Sequence, residues 1–211
     1  MHVSFGTDAD PSRYPWTVAL RGNDRDRCGG TLIDDLHVLT AAHCIGTRTT
    51  TVSLGSHLYN DGEEVRTSFY CVHNAYSSSN YYRHDIAIIR LAKPAIVRPP
   101  KRVSTINLCN RNDTSNVTMS SNAVNLWMVG WGLKNNEIEP DALQEAQVTF
   151  ANRSMCKGSS RYTDMCVQSR SNKSPMGCVD FESKFSREKS CFFCLEHALA
   201  IVVADYFNRQ F

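Results

Sequence analysis

Short runs of apolar and β-branched residues, separated by turn residues, are the feature that most constrains how this chain can fold. Such runs recur at 17–20, 31–33, 51–54, 86–89 and 148–150. Between them lie stretches rich in glycine, asparagine and aspartate, for example Gly22-Asn23-Asp24 and Asn60-Asp61-Gly62. Many short β-branched runs, closely spaced between turns, are typical of an antiparallel sandwich or barrel. We therefore predict an all-β fold.

The same pattern divides the chain into two strand-rich halves and a different C-terminal segment. Residues 92–125 are rich in proline, asparagine and serine, as expected for a connector, and a second strand-rich half begins near Leu126. Residues 191–207 form a dense apolar segment without turn residues. This segment is long enough for a helix. The residues that would share one face of that helix are Leu195, Leu199, Val202 and Phe207.

Composition excludes two broad classes and indicates a compartment. Among 211 residues, 23 Lys and Arg balance 21 Asp and Glu, so no basic surface for nucleic acid is expected. No apolar run approaches the roughly 18 residues of a membrane-spanning helix, so no membrane partner is expected. Nine cysteines, an odd number, point to an oxidising, extracellular compartment, although the first residues show no signal-peptide pattern. Four sequons are candidate glycosylation sites, at Asn112, Asn116, Asn152 and Asn172.

Two motifs carry chemistry, and their order along the chain indicates a family. The first is Val38-Leu39-Thr40-Ala41-Ala42-His43-Cys44, preceded by Cys28-Gly29-Gly30. The second is His84-Asp85-Ile86-Ala87, and Gly130-Trp131-Gly132 and Met165-Cys166 follow it. Together these motifs resemble the chymotrypsin/trypsin family of serine proteases. The resemblance spans roughly residues 3–179.

The resemblance implies a fold, an activity and a set of site residues. Residues 1–179 would form a serine peptidase domain of two antiparallel β-barrels of the chymotrypsin type, roughly 1–100 and 120–179, followed by an unrelated tail at 180–211. His43 would act as general base, and Asp85 would fix its tautomer and stabilise the imidazolium. The reaction would be hydrolysis of a peptide or protein substrate by acyl transfer, without a cofactor. The implied disulfides are Cys28–Cys44 and Cys156–Cys166.

The nucleophile is where the sequence departs from the family. Family members carry their serine in Gly-Asp-Ser-Gly-Gly-Pro, a turn that also supplies the backbone donors of the oxyanion hole. Aligned on Cys178, this chain has Glu182 at the serine position, and Ser183 stands one residue later without the glycines. We therefore expect an incomplete second barrel and a catalytically silent chain. The alternatives are a pseudoprotease that binds peptides or partner proteins through the remaining cleft, and a non-functional splice or gene-model product.

No metal site is expected from the sequence. The pair Cys191-Phe-Phe-Cys194 could suggest a redox pair or, with His197 and Cys178, a zinc site. A single Cys-x-x-Cys in a segment unlike the rest of the chain is poor support for either interpretation. The adjacent acids Glu63 and Glu64 are more typical of a solvated turn than of a calcium loop.

The two implied disulfides can be tested directly. In protein made in an oxidising compartment, non-reducing peptide mapping should recover one peptide pair joined through Cys28 and Cys44, and another joined through Cys156 and Cys166. Recovery of Cys28 and Cys44 as free thiols, or each joined to a different cysteine, would contradict the assignment of the histidine turn.

Overall fold

The computed structural model describes a β-rich chain in segments. The described residues are 6–22, 27–45, 51–77, 84–95, 103–106, 126–132, 139–150, 164–169, 175–180, 194–195 and 201–204. The strands are β1 (Thr7–Asp8), β2 (Thr17–Arg21), β3 (Cys28–Leu32), β4 (His37–Thr40), β5 (Thr51–Leu54), β6 (Glu63–Val72), β7 (Ala87–Leu91), β8 (Leu126–Gly130), β9 (Gln144–Phe150), β10 (Asp164–Ser169), β11 (Pro175–Asp180), β12 (Cys194–Leu195) and β13 (Ile201–Ala204). Among these residues the one helical element is a short 3₁₀ turn, Ala42–Cys44, so no described helix is long enough to cross a membrane. The all-β prediction is confirmed.

The first half of the chain closes into a barrel of antiparallel strands in the order β2-β3-β4-β7-β6-β5. Strand β7 shows how side chains alternate between the core and the solvent. Ala87, Ile89 and Leu91 are buried, while Ile88 and Arg90 are exposed. A period of two places every second side chain on the inner face. The barrel core consists of Val18, Leu20, Cys28, Leu32, Val38, Ala41, Cys44, Val52, Leu54, Val65, Ile89 and Leu91.

The second half forms an open sheet in the order β12-β11-β10-β9-β8-β13, and β1 from the N-terminal region pairs with β9. The expectation of an incomplete second barrel is therefore confirmed. Strands β8 and β9 pair antiparallel, with Leu126 opposite Val148 and Gly130 opposite Gln144. In the part of the chain that the structure describes, the two end strands of this sheet, β12 and β13, do not pair with each other, so the sheet is open.

The helix considered for the C-terminal segment is wrong for the residues described there, because Cys194–Leu195 and Ile201–Ala204 form strands. Strand β13 pairs antiparallel with β8, from Ile201 opposite Val129 to Ala204 opposite Leu126, and β12 pairs with β11. The physical reason lies in the run Ile201-Val202-Val203, because β-branched side chains favour extended backbone. An unpaired edge of β8 also offers a row of N–H and C=O groups that a strand can satisfy and a helix cannot.

Aromatic and charged side chains join the two halves. Tyr59 and Trp131 meet edge to face with ring centroids 5.6 Å apart, and both are buried. The Tyr59 hydroxyl donates to the carbonyl of Leu20 at 3.0 Å, and burial raises the pKa of this phenol. The Tyr14 hydroxyl also donates across the two halves, to Glu145 Oε2 at 2.6 Å. These contacts hold strands of the second sheet against the first barrel.

Gly30 of β3 offers a test of the barrel packing. A Cβ atom at this position would lie 2.5 Å from Val38 Cγ1 and 3.2 Å from Val18 Cγ2, both core side chains. Because overpacking a dense core costs about 1–3 kcal/mol, Gly30→Ala should lower the free energy of unfolding by that amount in thermal or urea melts. The exposed Asp35→Ala serves as control and should change it by less than about 0.5 kcal/mol. Equal melting curves for the two variants would contradict this packing.

Candidate active site

His43 stands on the turn that follows β4. The strand ends at Thr40, whose hydroxyl donates to the carbonyl of Gly29 on the neighbouring strand at 2.9 Å. The chain then passes through the buried Ala41 into the 3₁₀ turn Ala42–Cys44, which the Cys44 N–H closes by donating to the Ala41 carbonyl at 3.2 Å. The small, buried side chains of Ala41 and Ala42 allow the backbone to lie close against the end of the barrel. His43 is therefore carried on a short turn with little freedom.

A disulfide fastens this turn to the barrel. Cys28 at the start of β3 is bonded to Cys44, with Cα atoms 5.9 Å apart, so this implied bridge is confirmed. The two cysteines are 16 residues apart in sequence, and closing a loop of that length is worth about 3 kcal/mol on a chain-entropy account. Both sulfur-bearing residues are fully buried.

Asp85 lies just before β7 and next to the histidine turn. Strands β4 and β7 pair antiparallel, with Thr40 opposite Ala87. His43 lies three residues beyond Thr40, and Asp85 lies two residues before Ala87. Both residues therefore leave the sheet at the same edge, because antiparallel strands bring the end of one to the start of the other.

The two side chains form a short, buried pair. His43 Nδ1 lies 2.6 Å from Asp85 Oδ2, and the side chains are only 8% and 6% exposed. The backbone N–H of His43 also donates to Asp85 Oδ1 at 2.8 Å, so both carboxylate oxygens are engaged. This geometry places the imidazole proton on Nδ1 and leaves Nε2 as the basic nitrogen, which is the arrangement a general base requires.

His84 directly precedes Asp85, and the sequence reasoning did not predict its backbone conformation. It has a φ of 59°, an uncommon left-handed conformation for a non-glycine residue, and the Ile86 N–H donates to its carbonyl at 2.7 Å. Its ring stacks on that of His73, with centroids 4.8 Å apart. This turn re-aims the chain immediately before Asp85. Histidine is among the residues enriched in the left-handed region, which was the available signal.

Several predicted residues are not covered by this description. Cys156 and the four sequon asparagines, Asn112, Asn116, Asn152 and Asn172, lie outside the described residues. Cys166 lies on β10, where its register partner is Cys178 of β11. The bridge Cys156–Cys166 and the glycosylation sites remain predictions.

One cluster has the composition of a metal site. Ligand atoms of Cys28, His43 and Cys44 all lie within 4.8 Å of one another. In this structure the two sulfurs are joined as a disulfide, and metals bind the thiolate form of cysteine. The cluster is therefore not a metal site in its oxidised state.

Comparison with known proteins decides the family. A family model described as Trypsin matches residues 3–188, which is most of the chain. The chain belongs to the trypsin family. The His–Asp pair therefore lies where this family's motifs predicted it.

Individual relatives agree with this assignment. Kallikrein-12 of Homo sapiens is 34% identical over 160 residues, covering 72% of this chain and 60% of the relative. Coagulation factor IX of Cavia porcellus is 32% identical over 169 residues, covering 76% and 57%. A solved structure of neuropsin, a serine protease expressed in the limbic system of mouse brain, superposes with a TM-score of 0.65 at 25% identity and covers 96% of this chain and 83% of that one. The matched region thus spans about three-fifths of the curated relatives' length.

The buried His–Asp pair can be compared with an exposed one in the same chain. Asp34 accepts hydrogen bonds from the Leu36 and His37 N–H groups at 2.8 Å and faces His37 Nδ1 at 2.9 Å, with the Asp34 side chain 51% exposed. Partial burial acts to raise the pKa of Asp34, but these hydrogen bonds outweigh it and lower the pKa. Asp34 is therefore a matched control for Asp85.

We expect Asp85→Ala to lower the free energy of unfolding by about 1–3 kcal/mol, because it leaves buried N–H donors of His43 without an acceptor. Asp34→Ala should cost less, because water can replace its carboxylate at the surface. Urea unfolding of both variants at neutral pH measures the difference. A larger loss for Asp34→Ala would contradict the burial argument.

Proposed function

We propose that this chain is a trypsin-family protein that keeps the histidine and aspartate of the catalytic triad but does not hydrolyse peptide bonds. The observation that carries the proposal is the sequence after Cys178, which runs Val179-Asp180-Phe181-Glu182-Ser183. Aligned on Cys178, Glu182 takes the place of the nucleophilic serine. A carboxylate at that position offers His43 no hydroxyl proton to remove.

The backbone around Asp180 supports the proposal. Asp180 aligns with the first glycine of the family's serine turn, whose N–H groups converge on the oxyanion. In this structure Asp180 is the last residue of β11, with Asp164 of β10 and Cys194 of β12 as register partners. Asp180 is thus strand backbone with a pairing partner on each side, unlike the tight turn that aims two N–H groups at one oxygen in the family.

The remaining pair cannot compensate for these losses. Loss of one oxyanion donor typically costs about 10²–10³ in rate. Triad variants that keep residual activity do so through an intact oxyanion hole and substrate site. His43 and Asp85 can orient and hold a proton, but without a nucleophile no acyl-enzyme forms.

Trypsin-like proteases act on peptides and proteins, and the same class of molecule is the partner we propose for this chain. The closed first barrel supports binding as the alternative function, because the edge where β4 and β7 hold the His43–Asp85 pair, here called the barrel wall, belongs to a complete barrel. The buried Cys28–Cys44 disulfide supports an extracellular or otherwise oxidising location. The physiological partner of this wall would be an extended peptide segment or a protein loop.

Activity-based labelling tests catalytic silence. The purified full chain should not be labelled by a fluorophosphonate probe and should not cleave a mixed peptide library, because it lacks an activated serine. An active trypsin-family protease in the same assay confirms that the probe and the library work.

The variants Ser183→Ala and His43→Ala identify any labelling that does occur. Stoichiometric labelling that maps to Ser183 and disappears in His43→Ala would show that a displaced serine has taken the nucleophile's role. That result would overturn the proposal.

A further inference from the structure

The large hydrophobic side chains that stay exposed in the described residues all lie on two neighbouring strands. They are Phe69 and Tyr70 of β6, which are 62% and 47% exposed, and Ile88 of β7, which is 40% exposed. Single exposed apolar side chains are normal on a protein surface, whereas contiguous ones mark interaction sites. This pair of strands therefore carries a candidate docking surface.

The register of β6 and β7 places a thiol within this surface. Cys71 lies opposite Ile88, and Phe69 lies opposite Arg90. Directly opposed residues share one face of a sheet, with Cβ atoms about 4.5–5.5 Å apart, and residues two apart on one strand share that face at about 7 Å. Because Ile88 points away from the barrel core, Phe69 and Cys71 do so as well. Phe69, Cys71 and Ile88 are here called the thiol face.

The number of cysteines indicates what the thiol face meets. The chain has nine cysteines, and Cys28 and Cys44 are bonded to each other. Cys71, by contrast, is exposed and has no disulfide partner among the described residues. An odd number leaves one thiol over after all pairing within the chain, and such a thiol either bonds to another chain or stays reactive. The apolar neighbours of Cys71 favour another chain, because a second apolar surface would remove them from water.

We propose that the thiol face binds a second copy of this chain, and that a disulfide between the two Cys71 residues holds the dimer. A second copy offers the same apolar side chains and the same thiol, so one two-fold symmetric contact covers both faces at once. A residue on the two-fold axis meets its own counterpart. Cys71, which lies between Phe69 and Ile88 on this face, is the residue that can bond to its counterpart there.

Arg90 sets the orientation of the two copies. It is exposed on the same side of β7 as Ile88, two residues further along the strand. With the two-fold axis running across the strands, the two Arg90 residues lie on opposite sides of the axis, about 13 Å apart. That distance exceeds the Debye length of about 8 Å at physiological ionic strength, so the two charges are screened from each other. An axis along the strands would bring the like charges together, so the strands of the two copies should run antiparallel.

The thiol face is small for a contact without a covalent bond. Its three side chains fall well short of the roughly 20–30 residues that each partner contributes to a stable interface. The apolar contact therefore brings the two thiols together, and the disulfide keeps them there. Reduction should dissociate the dimer.

The bond forms by two thiol–disulfide exchanges with a low-molecular-weight disulfide as the oxidant. The Cys71 thiolate of one copy attacks the oxidant, forms a mixed disulfide and releases one small thiolate. The Cys71 thiolate of the second copy then attacks the Cys71 sulfur of that mixed disulfide and releases the other small thiolate. The oxidant gains two electrons, the two cysteines lose two electrons, and their two protons pass to the released thiolates.

Peptide mapping of the full chain tests the bond. The protein is made in an oxidising compartment, treated with an alkylating agent to block free thiols, and digested with trypsin without reduction. Trypsin cuts after Arg66 and Arg83, so Cys71 lies in a peptide of residues 67–83 that holds no other cysteine. We expect two copies of this peptide joined to each other, a product that can come only from two chains. Recovery of Cys71 alkylated, joined to a different cysteine, or joined to a small thiol would overturn the proposal.

Light scattering of the intact protein measures the dimer. Without reductant the chain should have twice the mass of one copy, and with reductant the mass of one copy. Cys71→Ser should have the mass of one copy under both conditions. A dimer that persists in Cys71→Ser without reductant would show that a different contact holds the copies together.

The apolar part of the face is tested with the thiol kept in place. Phe69→Ser combined with Ile88→Ser should lower the equilibrium constant for dimer formation, measured in a buffer of reduced and oxidised glutathione, by about tenfold or more, because less apolar area is buried on contact. Tyr70→Ser is the matched control, since Tyr70 is exposed but faces the opposite side of β6 from Phe69 and Cys71. Its constant should stay within about twofold of the parent's.

Far-ultraviolet circular dichroism checks that each variant is folded, which is expected for substitutions at exposed positions. An unchanged constant in the double variant would show that the apolar side chains do not bring the copies together. An equal loss in Tyr70→Ser would assign the effect to the strand rather than to the thiol face. Either result overturns docking at this face.

Discussion

The antiparallel pairing of β4 with β7 is the constraint on which the candidate site depends. It sets Thr40 opposite Ala87, so that His43 and Asp85, 42 residues apart in sequence, leave the sheet at one edge. The register cannot slip by one residue without moving Ile89 out of the barrel core and Arg90 into it. The hydrophobic core therefore fixes the distance between imidazole and carboxylate.

Burial gives that pair its chemical character. A carboxylate only 6% exposed needs hydrogen bonds to compensate for lost hydration, and Asp85 receives them from the ring and the backbone of one residue. The arrangement locks one tautomer of His43. In an active relative, the basic Nε2 would serve a serine; in this chain it faces the sulfur of Cys44.

The second sheet shows how an open edge is covered. Without further strands, β8 would expose its backbone groups, and β13 pairs with it over four residues. That pairing uses the C-terminal segment that differs from the rest of the chain in composition. The family's fold is thereby retained in the first barrel, while the second half follows a strand order in which the segment after residue 190 takes part.

The sequence by itself determined the all-β class, the trypsin-family motifs, the Cys28–Cys44 bridge and the pairing of His43 with Asp85, because each is written in short local patterns or in motifs of fixed order. It did not determine the C-terminal strands, since a run such as Ile201-Val202-Val203 suits a buried helix or a strand, and only the unpaired edge of β8 decides between them. Nor could it show the left-handed turn at His84 or the 3.5 Å approach of Nε2 to the Cys44 sulfur. Those depend on how barrel closure brings distant backbone segments together, and local sequence carries no record of such distances.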